Sequence, residues 1–201
     1  SLAGQFLALG LRIEGARILD HGVLQARQLV AAPQRIVSLG SSFTEIIIAL
    51  NESDRLVGLD QTSAALPGVP DAVENLGVAS QVPMESLLNI NPDCVLIWNF
   101  PSYANTVISD MERMGIKVIA LYPTNFQSTL TTIKLIGTMM GSDASALVAD
   151  MQDRVDAILE KTSNLTDDQR TRVYLELGSK GYMGKTVGNN TLSSEIIYLA
   201  G

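Results

Sequence analysis

The feature that most restricts the fold is an alternation, repeated through residues 35–140, of short unbroken apolar runs with longer stretches of helical period. Apolar runs of strand length that lack polar–apolar alternation predict strands buried on both faces, and such strands need helices on both sides of their sheet. Arg35-Ile36-Val37-Ser38-Leu39-Gly40 is the first run, and Arg55–Leu59, Cys94–Trp98 and Lys117–Leu121 repeat it. The intervening segments carry helix signals. Ser42-Phe43-Thr44-Glu45 matches a capping box ahead of Ile46, Ile47, Ala49 and Leu50, with the serine hydroxyl available to an orphan amide and the glutamate able to reach back. Pro83 opens a short helix through Met84, Glu85, Leu87 and Leu88 that Asn91-Pro92-Asp93 stops. Val107, Ile108, Met111 and Met114 share one helical face that closes at Gly115, and Leu130, Ile133, Ile136 and Met140 share another over Phe126–Met140 that closes at Gly141. A Pro/Gly-rich connection holds Pro67, Gly68 and Pro70. The predicted architecture is α/β: a parallel-sheet lobe covered by helices over residues 35–140.

The pattern changes after Gly141. Residues 141–164 read as a long connecting helix, helical from Asp143 to about Asn164, with a narrow stripe of Leu147, Met151, Val155, Ile158 and Leu159 among acidic and basic residues. Residues 165–201 then predict a strand at Arg172–Leu177 and a helix at Leu192–Leu199. These two elements cannot bury their own faces, so they read as the truncated start of a second α/β lobe. Residues 1–34 form an atypical N-terminal segment with scattered leucine, isoleucine and glycine.

Several function classes fall to composition. The 201 residues hold 14 Lys plus Arg against 21 Asp plus Glu, a net charge of −7, and a chain this acidic gains nothing from counterion release on a phosphate backbone, which excludes nucleic acid as a partner. Cys94 is the sole cysteine and sits in an apolar strand, so it reads as a small buried hydrophobe. His21 is the sole histidine, which leaves neither a Ser-His-Asp triad nor a multi-histidine metal site. Gly40-Ser41-Ser42 lacks the later glycines of a dinucleotide fingerprint. The segment Gly178–Thr186 resembles a phosphate-binding loop, yet five residues separate Gly178 from Gly184 where such a loop has four, and Ser179 replaces a required glycine. A nucleotide-dependent enzyme using Gly178–Thr186 is therefore the weaker alternative to a binding protein without catalytic residues, resident metal or cofactor. Charges or glycine break every apolar run before membrane-spanning length. The apolar stretch Ser1–Ile13 has no basic region ahead of it, so no signal peptide is legible.

Ligands of parallel sheets bind beyond the carboxyl ends of the strands. Those ends carry Ser41 and Ser42, then Asp60, Gln61 and Thr62, then Trp98, Asn99 and Phe100, then Tyr122 and Pro123. The chain's one tryptophan beside a phenylalanine at such an edge suits stacking against a flat or apolar ligand. The competing structural reading has Trp98 simply packing beneath the next loop.

An ordered series carries a family resemblance: Arg35-Ile36-Val37-Ser38-Leu39 with Thr44-Glu45-Ile46, Asp54-Arg55-Leu56-Val57-Gly58, Glu85-Ser86-Leu87-Leu88 before Asn91-Pro92-Asp93-Cys94-Val95-Leu96-Ile97-Trp98, then Met114-Gly115-Ile116-Lys117-Val118, the long helix and Arg172-Val173-Tyr174. Over roughly residues 33–201 the chain resembles the substrate-binding proteins of ABC importers for iron-siderophores, haem and cobalamin. The resemblance implies two α/β lobes joined by one rigid helix, ligand between them, an ABC permease as partner, and a periplasmic or extracellular location, with any membrane anchor in a removed N-terminal segment. It implies ligand contacts from Ser41, Ser42, Gln61, Trp98, Asn99, Phe100 and Tyr122 on the first lobe and from Tyr182 and Lys185 on the second, Lys185 pairing with an anionic chelate. Trp98 matches a cleft aromatic of cobalamin-binding members, whereas Thr62 and Ala79 stand where those members place further aromatics, which favours an iron chelate. A single histidine disfavours histidine-ligated haem and leaves a tyrosine ligand such as Tyr182 open. The resemblance also implies that an exposed Glu85 docks on the permease, a matching glutamate lying past Gly201. A sensory module using the same lobes without transport is the remaining alternative.

Overall fold

The computed structural model describes residues 31–100, 104–176, 186–189 and 191–201. In chain order the elements are β1 (Ile36–Leu39), α1 (Ser41–Ala49), β2 (Leu56–Leu59), β3 (Glu74–Asn75), α2 (Met84–Ile90), β4 (Cys94–Trp98), α3 (Ala104–Arg113), β5 (Val118–Leu121), α4 (Phe126–Met140), α5 (Ser145–Thr162) and α6 (Leu192–Ala200). One-turn helices at Ser53–Arg55, Ser63–Ala65 and Ala79–Gln81 punctuate the connections. Among the described residues no helix is long and apolar enough to cross a membrane.

The five strands form one sheet in the order β3-β2-β1-β4-β5, and every pairing is parallel. Because successive side chains of a strand point to opposite faces, the unbroken apolar runs feed two cores. Ile36, Cys94, Leu96, Ile119 and Leu121 pack with Phe43 and Ile47 of α1 and with Leu135, Ile136, Met139 and Met140 of α4. Val37, Leu39, Val95, Ile97, Val118 and Ala120 pack on the other face with Leu87 and Ile90 of α2 and Val107, Ile108 and Met111 of α3. This is the helix-covered parallel sheet that the run pattern predicted.

The helix stops behave as read. Asn91 ends α2 with φ +50, and Gly115 and Gly141 follow α3 and α4 with φ +78 and +75, the left-handed geometry that closes a helix. Asp93 at the mouth of β4 accepts the backbone amides of Gln34 and Arg35 at 2.6 and 2.9 Å, and Arg35 donates to the carbonyls of Asn91 (3.2 Å) and Ile90 (2.5 Å).

Three local expectations change. The capping box at Ser42–Glu45 does not form: Gly40 is the cap residue, without a side-chain cap bond, and α1 already starts at Ser41. Ser42 thus lies inside the first turn, too late to cap it. Thr44 instead donates its hydroxyl to Ser38 Oγ at 2.8 Å. Second, the Pro/Gly-rich connection holds β3, an edge strand of two exposed residues. Third, Arg172–Leu177 does not form a strand across its described residues. Only Glu176 pairs, in a single antiparallel bridge with Thr186, while Val173 and Tyr174 are exposed. A strand needs a partner ladder to satisfy its backbone, and one bridge supplies little of it.

The chain divides into two compact units. One draws on the chain up to Tyr122 together with Ile133–Ala144, the other on Pro123–Thr132 together with Ser145–Gly201. The first holds the whole sheet. In the second, Thr191 and Ser194 build a reciprocal capping box at the start of α6, Thr162 donates its hydroxyl to the Leu199 carbonyl at 2.9 Å, and Glu195 accepts the Phe126 amide at 2.6 Å. The long helix is present as α5, its stripe half-buried at Leu147, Met151, Val155 and Leu159 and exposed at Ile158.

Candidate ligand-binding site

The strand order locates the site. From β1 the chain winds outward through β2 to β3, then returns to the opposite side of β1 to lay down β4 and β5. The winding direction therefore reverses between β1 and β4. At such a switch point the connections leave the carboxyl ends of adjacent strands in opposite directions and open a crevice. The residues that end β1 and β4 are Leu39 and Trp98.

Trp98 occupies that crevice with company. Its ring lies 5.2 Å from Phe43, inclined 25°, and 5.4 Å from Phe100, inclined 15°, both stacked. Tyr122, just past the end of β5, meets Trp98 edge-on at 5.8 Å and Phe100 edge-on at 5.3 Å. Phe43 is fully buried, whereas Trp98, Phe100 and Tyr122 are half-buried. The arrangement runs from core to surface, a continuous aromatic group whose inner member is fixed by α1. Offset-stacked and edge-to-face pairs of this kind each contribute about 0.5–1.5 kcal/mol beyond their buried area.

The polar candidates fall into separate positions. Ser41 and Ser42 open α1 beside the aromatic group, both half-buried, and Ser42 Oγ is buried without a hydrogen-bond partner among the described residues. Asn99 follows Trp98, is half-buried, and donates its backbone amide to the Leu121 carbonyl at 3.0 Å, which ties the β4 end to the β5 end. Gln61 is exposed one strand over, past the end of β2, with its backbone amide on the Gly77 carbonyl at 2.8 Å. Asp60 is buried, and its carboxylate accepts from Thr62 Oγ1 at 2.8 Å and the Ser63 amide at 2.7 Å, so it is engaged within its own turn. Tyr182, Lys185 and most of Gly178–Thr186 lie outside the described residues, as does His21.

The rim segments Gly40–Ser42, Asp60–Thr62, Trp98–Phe100 and Tyr122 contain no lysine or arginine. Their one acid, Asp60, is buried and hydrogen-bonded. Among the described residues no three His, Cys, Asp or Glu side chains stand together as a metal-holding group. Such a rim can stack on and hydrogen-bond to a ligand of low charge.

Two contributors escaped the sequence reading: Phe43, read as part of a cap, and Gly40, read as the end of the first apolar run and as a failed fingerprint. An aromatic residue four positions past a buried strand is a usable signal for the first.

Residues 36–201 match the family described as periplasmic binding protein. The chain belongs to that family. Within it, the chain is 32% identical over 177 residues to a cobalamin-binding protein of Halobacterium salinarum, a match covering 86% of this chain and 46% of that one. It is 29% identical over 183 residues to an uncharacterized ABC transporter substrate-binding lipoprotein of Bacillus subtilis, covering 89% and 57% respectively. The chain thus spans about half the length of these two relatives. The periplasmic vitamin B12 binding protein of Vibrio cholerae shares the fold, with a TM-score of 0.65 at 19% identity over 85% of this chain and 65% of that one. The α/β fold and the family both agree with the resemblance carried by the sequence.

Proposed function

We propose that this chain supplies the first ligand-binding wall of an ABC-importer substrate-binding protein working outside the cytoplasmic membrane, and that it captures a metal complex by its organic periphery. The observation that carries this reading is the aromatic group of Trp98, Phe100 and Tyr122 at the sheet's switch point. Recognition rests on stacking and on neutral hydrogen bonds from Ser41, Ser42, Asn99 and Gln61, and no bond of the ligand is made or broken. Tyr182 and Lys185 are proposed as further contacts, and Glu85 as the contact to the permease.

Among metal complexes, a bulky macrocycle of the cobalamin type ranks first. The first-wall segments at the strand ends carry no lysine or arginine, which suits a large ligand of low charge better than an anionic chelate, and the relative at 32% identity is named cobalamin-binding. The proposed Lys185 contact is the cation that speaks for an anionic chelate. The iron-siderophore reading ranks second. It is favoured by Thr62 and Ala79, positions too small to supply the further aromatics a corrinoid site would use.

Titration of the full-length protein with cyanocobalamin, hemin and a ferric siderophore, followed through Trp98 emission taken as the difference from Trp98→Ala, tests both readings. Saturable quenching by cyanocobalamin supports the first, and quenching by the siderophore alone supports the second. The absence of saturable binding by any of the three, checked by calorimetry, would overturn the proposed capture.

A further inference from the structure

Gly40 is the cap of α1, with φ 168 and ψ 119. This is extended backbone that any residue adopts, so the local conformation does not call for glycine. Its carbonyl accepts the amides of Phe43 at 3.0 Å and Thr44 at 3.2 Å, which pins the position of its Cα. What excludes a side chain is Trp98. A Cβ on Gly40 would stand well under 3.0 Å from Trp98 Cδ1, 2.6 Å from Nε1 and 3.2 Å from Phe43 Cδ2. The indole has little freedom to yield, because Phe43, Phe100 and Tyr122 all contact it.

We infer that Gly40 is a positioning residue of the binding site: its missing side chain is the space in which the edge of the Trp98 indole lies, and the seat of Trp98 in turn places Phe100 and Tyr122. The inference rests on the proposed function for its consequence in binding, although the seat itself does not. Three strand-end segments are coupled through this one contact. Gly40 follows β1, Trp98 ends β4 and Tyr122 follows β5, so a methyl group added at the first is read out as a displaced ring at the second and third.

The experiment combines Gly40→Ala, Trp98→Ala and the double variant in the full-length protein. The alanine at position 40 is expected to shift Trp98 emission to longer wavelength and reduce the aromatic circular dichroism without ligand, while far-ultraviolet circular dichroism stays native. It is also expected to lower the melting temperature when Trp98 is present and to cost little when Trp98→Ala has already emptied the seat, a non-additivity expected only of residues in contact. An unchanged emission spectrum would overturn the inference. So would an equal loss of melting temperature in both backgrounds, which would assign the clash to Phe43. If Gly40→Ala alone fails to fold, recovery of folding in the double variant supports the inference and failure of both overturns it. With cyanocobalamin and hemin as probes, Gly40→Ala is expected to weaken by about tenfold or more whichever binding the unaltered protein shows. Wild-type affinity in that variant would overturn the binding consequence. Should neither probe bind the unaltered protein, the proposed ligand fails while the emission and melting arms still decide the role of Gly40.

Discussion

Phe43 and Trp98 lie in offset stacking, ring centroids 5.2 Å apart, with the phenylalanine fully buried and the indole half-buried. The candidate site is thereby continuous with the core rather than laid over it. Trp98 also packs against the face of the core that holds Cys94, Leu96 and Leu121. Trp98→Ala is therefore expected to lower stability by about 2 kcal/mol, below the range for a fully buried tryptophan because the ring is partly exposed. The same variant is expected to abolish ligand quenching and to weaken affinity by calorimetry, whereas Trp98→Phe keeps part of both. An affinity unchanged in Trp98→Ala would remove the ring from the ligand contact.

Cys94 yields a pH prediction. Burial in the first core raises its thiol pKa from the ordinary 9.0 to about 12, with Asp93 adding to the rise and Lys117 opposing it. The thiol stays neutral in the folded chain while the unfolded chain ionises above pH 9. The associated stability is thus fully present below that pH and is lost as pH climbs from 9 toward 12, at up to about 1.4 kcal/mol per pH unit. Urea unfolding at pH 7, 8, 9 and 10, compared between the native chain and Cys94→Ala, isolates this contribution: the gap between them should hold constant to pH 8 and narrow above pH 9. The native thiol should also resist alkylation at pH 8 until denaturant is added.

Much of the parallel-sheet unit was legible because its signals are local. Buried parallel strands announce themselves as apolar runs such as Cys94–Ile97, and Asn91, Gly115 and Gly141 mark helix ends by the backbone they permit. Features that depend on distant partners were not legible. Glu74 and Asn75 form β3 only because Gly58 and Leu59 offer a ladder, and two exposed polar residues carry no strand signal of their own. Arg172–Leu177 shows the converse, an apolar pattern whose described residues find one bridge at Glu176. Trp98 was recognisable as a candidate site residue from its place at a strand end. Strand order, which makes that end the switch point, and the seat provided by Gly40 both depend on contacts across the sheet that spacing along the chain does not encode.

Arg55 ties the end of α4 to the sheet. Its guanidinium donates to the Met140 carbonyl at 2.8 Å and the Pro33 carbonyl at 3.3 Å and pairs with Glu52 at 2.8 Å, while Glu52 also accepts from Ser142. Both partners of the ion pair are about one-fifth exposed, so water screens them only partly. Removing the guanidinium orphans a carbonyl of the last turn of α4, and Arg55→Ala is expected to cost about 1–2 kcal/mol. Arg55→Lys recovers only part, because an ammonium cannot reproduce the fork that spans two carbonyls and a carboxylate. Chemical denaturation checks both, and ligand affinity should stay unchanged because none of these groups belongs to the aromatic site.

Glu85 provides the test of the proposed permease contact. It lies in the first turn of α2, is exposed, and makes no ion pair among the described residues. The helix dipole favours a carboxylate there, which is a sufficient local reason for its presence. Its exposure keeps the charge available: a carboxylate already paired within the lobe would gain little from a new arginine, whereas an unpaired one can gain from a partner that desolvates it. Glu85→Ala is expected to change stability by no more than about 0.5 kcal/mol and to leave ligand affinity intact. Glu85→Lys should go further, placing a cation at the positive end of the helix and opposing a cationic docking pocket. The decisive measurement is ligand-dependent uptake, or pull-down of the permease, alongside affinity for the free ligand. Loss of uptake with unchanged affinity assigns Glu85 to docking, and unchanged uptake with Glu85→Lys leaves it with the helix dipole alone.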